Sequence, residues 1–505
     1  MASWKLLALL VAQAALGETW FDHLGLPPGR HPVGFRIVRQ FDLSRFQPPT
    51  SAGNDRATPV TICVWYPAAP GNARPALTLG DYWGLGRAIA TTSTPPAGPP
   101  PTATVQNTAK FAFGLEIDAA AADRILATPM LARRDSFPVN GKFPVVIGGL
   151  EAPHNSAAFA EYLASRGYIV ITSPSLPRTG TLQASRPLIA LETQTRNLEF
   201  LAGFMRGMPQ ADPTRLAIVA ANFDGMAGLV FEMRNLAVSA VVSLDGWEGK
   251  ANSVGTLRAA LDFDPQRLRV PYLLFSQNEA NPPPGLALDD RIFDSLRYSE
   301  RAAYSIQGLN HGSYVLHLLA GAIASAEQRP GFRFVMERTA DWLDAFLRRD
   351  AAAAERIKAT PAAVTFTHRL EQHALDPLPT EEEVEEMVMA GGVDRLADIF
   401  RRAVRANPDA VLFTPQTLDL YAFRFEQRGN LPAAIAIVQL RTEAFPASWA
   451  GWNRLAGLQE KAGRRSDAAQ SLDKAIQAIE ADASLSAEAK RRQSDALSER
   501  RKSLR

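Results

Sequence analysis

Between residues 34 and 347, short apolar runs without polar alternation are separated by stretches of helical periodicity, and few folds accommodate that pattern. Candidate strands lie at 35–38, 60–65, 145–147, 169–172, 216–219, 240–244, 272–275 and 303–306. The middle runs are rich in Val, Ile and Leu without polar alternation. A strand of that kind needs apolar cover on both faces, which a parallel sheet flanked by helices supplies. Amphipathic segments at 157–165 and 193–205 supply such helices. The order strand, helix, strand predicts a doubly wound α/β domain with a mostly parallel sheet. No long helix separates the first two strands, which predicts an antiparallel hairpin at one edge.

A chain of 505 residues exceeds one ordinary core, so two or three domains are expected. The α/β pattern is assigned to residues 18–360, and 361–379 to a linker. Residues 91–104 are rich in Pro, Thr and Ala, including Pro95-Pro96 and Pro99-Pro100-Pro101. Such a segment predicts an exposed loop rather than helix or central strand, either part of a cap over a pocket or a surface insertion. From 380 to 490 the chain is Ala-rich and helical throughout, and it repeats. Trp452, Leu455, Ala456, Gly463, Ala468, Leu472 and Ala475 form one unit. Leu418, Tyr421, Ala422, Gly429, Ala434, Val438 and Pro446 form the one before. A degenerate earlier unit ends at Phe400, Ala403 and Pro408. Large and small residues at these offsets let two antiparallel helices pack closely, and the pattern resembles a tetratricopeptide repeat, with an ordinary α-bundle as the alternative. Residues 491–505 read as a charged tail, a solvated or frayed helix.

Composition excludes several functions. The formal net charge is +2, without the clustered positive charge a nucleic-acid partner would want. The sole cysteine, Cys63, lies in an apolar strand and allows no internal disulfide. Residues 1–17 carry one lysine, a short apolar run and small residues after it, which predicts a secretory signal peptide. A buried N-terminal helix is the alternative. No later stretch is long and apolar enough to span a membrane, so a secreted or periplasmic protein is expected.

The chemistry-bearing segment is Leu216-Ala217-Ile218-Val219-Ala220-Ala221-Asn222-Phe223-Asp224-Gly225. An apolar strand runs through small residues into a helix, the layout of a nucleophile elbow, in which a tight turn lifts one side chain above the sheet. In the motif G-x-S-x-G the serine position here holds Asn222, and the two glycine positions hold Ala220 and Asp224. Asp245 stands at the end of the next strand, in Leu244-Asp245-Gly246-Trp247. His311 stands in a loop after the last strand, in Gly308-Leu309-Asn310-His311-Gly312. Nucleophile, acid, histidine is the chain order of the α/β-hydrolase triad. The strand at 143–147 ends in Gly148-Gly149-Leu150, a loop that offers one oxyanion-hole N–H from Leu150. Phe223, just after the nucleophile position, offers the other.

Taken together these segments resemble the α/β-hydrolase superfamily, and within it the dienelactone-hydrolase-like proteins and the platelet-activating-factor acetylhydrolases. The resemblance runs from about Pro32 to Pro361. It rests on Pro32-Val33-Gly34-Phe35, Val64-Trp65-Tyr66-Pro67-Ala68, Gly141-Lys142-Phe143-Pro144, Leu163-Ala164-Ser165-Arg166-Gly167-Tyr168, Leu244-Asp245-Gly246-Trp247 and the His311 loop. It implies hydrolysis of an ester or related acyl bond, with Asp245 as the triad acid. Glu279, after the strand at 272–275, is the second candidate for that role.

Two departures count against acyl transfer. The side-chain nitrogen of Asn222 is delocalised into its carbonyl, and His311 cannot usefully deprotonate it, so covalent catalysis fails at its first step. Glu151, beside the oxyanion donors, opposes developing negative charge. Asp224 is no replacement nucleophile: it lies two residues late, in the first helical turn, and should point away from His311. His154 is placed near the pocket mouth, while His23, His31, His317, His368 and His373 read as surface or packing residues. No metal-ligand spacing and no phosphate-binding glycine loop occurs, so no metal or cofactor is expected. Two functions stay open. One is a pseudo-hydrolase that binds a small acyl or ester ligand, with a protein partner on the repeats. The other is an active ester hydrolase in which His311 and Asp245 activate water.

Overall fold

The computed structural model describes residues 18–47, 56–71, 74–90, 101–149, 153–173, 185–235, 237–279, 281–282, 285–359 and 361–504. The segment read as a signal peptide, residues 1–17, lies outside them, as do residues 91–100 and the loop residues Leu150 and Glu151. The chain divides into two units after Ala374.

Ten strands form one sheet in the first unit. They are β1 (Val33–Gln47), β2 (Arg56–Pro67), β3 (Ala132–Arg134), β4 (Phe143–Gly149), β5 (Ile169–Thr172), β6 (Ala211–Ala221), β7 (Val238–Leu244), β8 (Tyr272–Phe275), β9 (Arg301–Ile306) and β10 (Phe366–Gln372). The spatial order is β3-β1-β2-β5-β4-β6-β7-β8-β9-β10. Strands β5, β4, β6, β7, β8 and β9 are parallel to their neighbours in this run. β2 is antiparallel to both β1 and β5. A parallel sheet with its second strand reversed, and with β4 and β5 exchanged in space, is the α/β-hydrolase arrangement. The first hairpin is antiparallel as its short connection requires, and the short β3 covers its outer edge by pairing with β1.

Side chains along the central strands alternate between two cores. On β6, Leu216, Ile218 and Ala220 pack to one side, and Ala217, Val219 and Ala221 to the other. The first side meets Leu198 and Leu201 of the helix Pro187–Arg206 and Leu229 and Val230 of the helix Asp224–Arg234. The second meets Phe159 and Leu163 of the helix Pro153–Ser165 and Val335 and Leu343 of the helix Arg329–Leu347. The apolar runs of the central strands, without polar alternation, are thus explained by helices on both faces. Cys63 is buried on β2, and burial pushes its thiol up to about 12, so it stays protonated and inert.

Three local expectations are corrected. Residues 101–104 belong to a helix, Pro101–Phe113, rather than to a loop. Pro101 is its first residue, where the missing N–H costs nothing because no carbonyl precedes it in the helix. Residues 366–372, read as linker, form the edge strand β10, antiparallel to β9. Its exposure alternates residue by residue, and the charged Arg369 and Glu371 mask the first-glance strand signal. The tail at 491–505 is not solvated along its length: it lies in the helix Ala487–Lys502, whose Leu497 is buried and whose Arg500 and Arg501 pair with Glu460 and Asp473.

The second unit is all α-helical, with consecutive helices in contact: Glu381–Met389 with Val393–Ala406, Pro415–Gln427 with Leu431–Ala444, and Trp449–Lys461 with Arg465–Ala481. Gly429 and Gly463 lie between the helices of the second and third pairs, both with φ of 73°. That left-handed backbone ends a helix without a Cβ penalty, which is why glycine recurs there. Leu418, Ala422, Ala434 and Val438 are buried, as are Leu455, Ala456, Ala468 and Leu472. No helix among the described residues is long and apolar enough to cross a membrane.

Candidate functional site

In an open α/β sheet the crevice for a ligand lies outside the carboxyl ends of the strands, and the candidate residues collect there. β6 runs to Ala221, and the next helix starts at Asp224, leaving two residues to reverse the chain. Asn222 takes the turn with φ of 57°. Asparagine tolerates this left-handed backbone better than most side chains, so the strain of the elbow is retained although its serine is not. The turn is held by its own backbone: the carbonyl of Asn222 accepts hydrogen bonds from the N–H groups of Gly225 (3.2 Å) and Trp247 (3.0 Å).

Small residues are obligatory around this turn. A Cβ on Gly225 would lie 2.3 Å from Glu248 Oε2, and one on Gly149 would lie 2.6 Å from the Cβ of Asp224. Gly149 therefore makes room for the aspartate that stands where the motif has a glycine. Asp224 is buried in the first helical turn, as its spacing implied.

Strand register places the acid. Ala221 of β6 pairs with Leu244 of β7, so Asn222 and Asp245 are the next residues on adjacent strands. Asp245 also has a left-handed backbone, φ of 50°, and is fully buried. His311 Nδ1 lies 2.5 Å from Asp245 Oδ2. A carboxylate only accepts, so Nδ1 carries a proton in this contact. The other oxygen, Oδ1, accepts from Lys250 Nζ (2.7 Å), the backbone N–H of Gln277 (2.8 Å) and Ser276 Oγ (3.2 Å). Burial alone would raise this carboxyl. The hydrogen bond from His311 and the Lys250 ammonium outweigh it and hold Asp245 below the usual carboxylate range. The structure thus chooses between the two candidate acids: Asp245 meets His311, whereas Glu279 is exposed beyond the end of β8.

The His311 loop is braced from several sides. Its backbone N–H donates to Gln277 Oε1 at 2.8 Å. Asn310 caps the short helix His311–Val315 through a reciprocal pair with Ser313. Asn310 Nδ2 also donates to the carbonyl of Ala112, and the Phe113 ring sits against Gly312, so the end of the helix Pro101–Phe113 packs on the loop. The imidazole remains 40% exposed. Beside this loop is a cavity of about 600 Å³, lined by Phe113, Ile306, Asn310, Ser313, Ile323 and Phe332 among others. Its walls include neither Asn222, Asp245 nor His311.

Of the two residues expected as oxyanion donors, Phe223 is placed at the head of the helix that follows the elbow, and Leu150 lies outside the described residues, as does Glu151. His154 stacks on Trp83 with ring centroids 4.8 Å apart. His317 is a packing residue, buried against Trp20, Phe159 and Phe332, and burial lowers it to about 3. Two participants escaped sequence reasoning, Lys250 and Gln277. A lysine five residues after a strand-end aspartate reads as a surface charge, and only the tertiary turn reveals its burial. Among the described residues no group of three or more His, Cys, Asp or Glu is placed to hold a metal.

The fold and this arrangement define an α/β-hydrolase-fold domain with an asparagine on the elbow and an aspartate–histidine pair beside it. No protein-family model matches the chain, and no curated protein matches it in sequence. Among solved structures it is similar to a ferulic acid esterase from Streptomyces cinnamoneus, at 17% identity and a TM-score of 0.47, over 68% of this chain and 99% of that one.

Proposed function

We propose that this chain is an exported pseudo-hydrolase, which holds a small acyl or ester ligand at the carboxyl edge of its sheet without cleaving it. Asn222 on a left-handed elbow, beside a fully buried Asp245 that still binds His311, is the observation that carries the reading. The elbow geometry persists while the atom that would attack a carbonyl is gone, and an amide nitrogen is no substitute. The dienelactone-hydrolase and acetylhydrolase resemblance suggests the ligand class. The helix pairs with glycine turns 34 residues apart support reading the second unit as tetratricopeptide-type repeats that take a protein partner. Calorimetric titration with short carboxylates and non-hydrolysable ester analogues tests the binding role. Saturable binding that weakens about tenfold in His311→Ala is expected, since loss of one hydrogen bond in a partly buried site costs about 1–1.5 kcal/mol. Equal affinity in both proteins would remove this site from the account.

A second reading has one observation in its favour. The His311–Asp245 contact at 2.5 Å is what a water-activating base needs. In that case the chain hydrolyses esters slowly without an acyl-enzyme. Export is part of the proposal. The exported protein should begin near residue 18, as a small-residue cleavage site requires, and N-terminal sequencing that finds Met1 would contradict it.

A further inference from the structure

The dyad acid is shared with a buried cation. After β7 the chain turns through the 3₁₀ segment Trp247–Gly249, and Lys250 comes back under the strand ends with only 2% of its surface exposed. Its Nζ lies 2.7 Å from Asp245 Oδ1 and 3.0 Å from Ser276 Oγ. In a working triad the aspartate does two things: it fixes the imidazole, and its negative charge stabilises the imidazolium formed when the histidine takes a proton. The first needs only an acceptor on the Nδ1–H. The second needs a negative charge that nothing else neutralises. An ammonium at ion-pair distance, in a site where water does not screen it, leaves the first intact and removes most of the second.

We propose that Lys250 is a positioning residue that keeps Asp245 as an acceptor for His311 while opposing proton uptake by the ring. The lysine is thereby a second block on base catalysis, independent of Asn222, and it cuts against water activation as well as acyl transfer. This inference rests on the site assignment made under the proposed function and deepens it: Nε2 is offered to a ligand as a hydrogen-bond acceptor, not as a base.

The other titratable groups around the pair do not offset the lysine. Glu248 in the 3₁₀ turn accepts from Tyr272 of β8 at 2.8 Å, and burial raises its carboxyl, favouring the neutral form. Burial likewise raises Tyr272 and Tyr314, the latter on the His311 helix, so both stay uncharged. Asp224 is buried on the following helix against Gly149. Glu279 is exposed.

Lys250→Gln removes the charge and keeps a donor, and Lys250→Arg keeps the charge. Asp245 retains the Gln277 N–H and Ser276 in both. NMR titration of the His311 ring, assigned with His311→Gln, is the primary readout. In Lys250→Gln the ring should become charged at a pH higher by about one unit, and Lys250→Arg should follow the wild type; one unit corresponds to a tenfold change in proton affinity. A Lys250→Gln ring that titrates as the wild type does overturns the proposal. So does Lys250→Arg moving equally with Lys250→Gln, because the lysine would then be structural only. Should Lys250→Gln fail to fold, ring ¹⁵N shifts of the wild type decide alone. A single neutral tautomer with the proton on Nδ1 at neutral pH supports the proposal, and a doubly protonated ring there overturns it. Ester turnover by the wild type would sink the proposed function and leave these titrations to be read on their own.

Discussion

Asn222→Ser is expected to react with a fluorophosphonate probe at least about 100-fold faster than the wild type, which has no hydroxyl on the elbow to trap. Triad and oxyanion contributions each typically span factors of that size. Residue 222 already occupies the left-handed turn between β6 and its helix, at φ of 57°. Asp245, the next residue on the neighbouring strand, already fixes the Nδ1–H of His311, the group that would take a hydroxyl proton against the opposition of Lys250. The substitution therefore supplies the missing atom on a turn that is already formed. Two obstacles hold the rate down: Lys250, which opposes proton uptake by His311, and Glu151, whose place just after Leu150 in the sequence is expected to set a carboxylate near the developing oxyanion. Asn222→Ser combined with Glu151→Gly should label faster than Asn222→Ser alone. Quantitative labelling with mass-spectrometric site assignment measures both rates. Labelling of the wild type at a site lost in Asn222→Ala would have no explanation in this arrangement.

Asp245→Ala should be the most destabilising single change at the site, at about 3–5 kcal/mol. Removing one partner of a buried ion pair strands the other charge away from water. Lys250, 2% exposed, would keep only Ser276 Oγ as a partner. The Gln277 N–H would lose its acceptor as well. Asp245→Asn should cost less, since it retains an acceptor for some of these donors while leaving the lysine uncompensated. The pH dependence has a definite sign. Asp245 is held below its ordinary range in the fold, so its contribution is present above the unfolded carboxylate value and is lost as pH falls through the depressed folded one. Urea denaturation of the three proteins at neutral and acidic pH checks both statements. A wild-type advantage that stays constant into strong acid would show that Asp245 is not ionised in the fold.

The sheet was legible because its central strands are apolar runs without polar alternation, a pattern with few alternatives to cover on both faces. Residues 216–222 revealed the elbow even without its serine, because the small residues and the strand-to-helix switch are demanded by the turn itself. Asp245 and His311 were readable from their places after strands. Their order in the chain implied the contact, but not what holds it, a left-handed backbone at Asp245 and a loop braced by Gln277 and the helix Pro101–Phe113. That helix was hidden by the prolines that precede it and by Pro101, which sits at its first position, where a helix tolerates one. β10 was hidden by edge-strand charges that favour solvent on one side. Lys250 was invisible for a different reason. Nothing in a sequence distinguishes a solvated lysine from one turned inward, and only the return of the chain after β7 decides it.

Hydrolysis of a panel of carboxylic esters by wild-type protein and by His311→Ala, assayed side by side, tests the central claim most directly. Loss of covalent catalysis on the elbow, with Lys250 set against proton uptake, predicts that both proteins hydrolyse every ester at the uncatalysed rate. Turnover by the wild type that disappears in His311→Ala would contradict that claim and establish His311 and Asp245 as a water-activating pair.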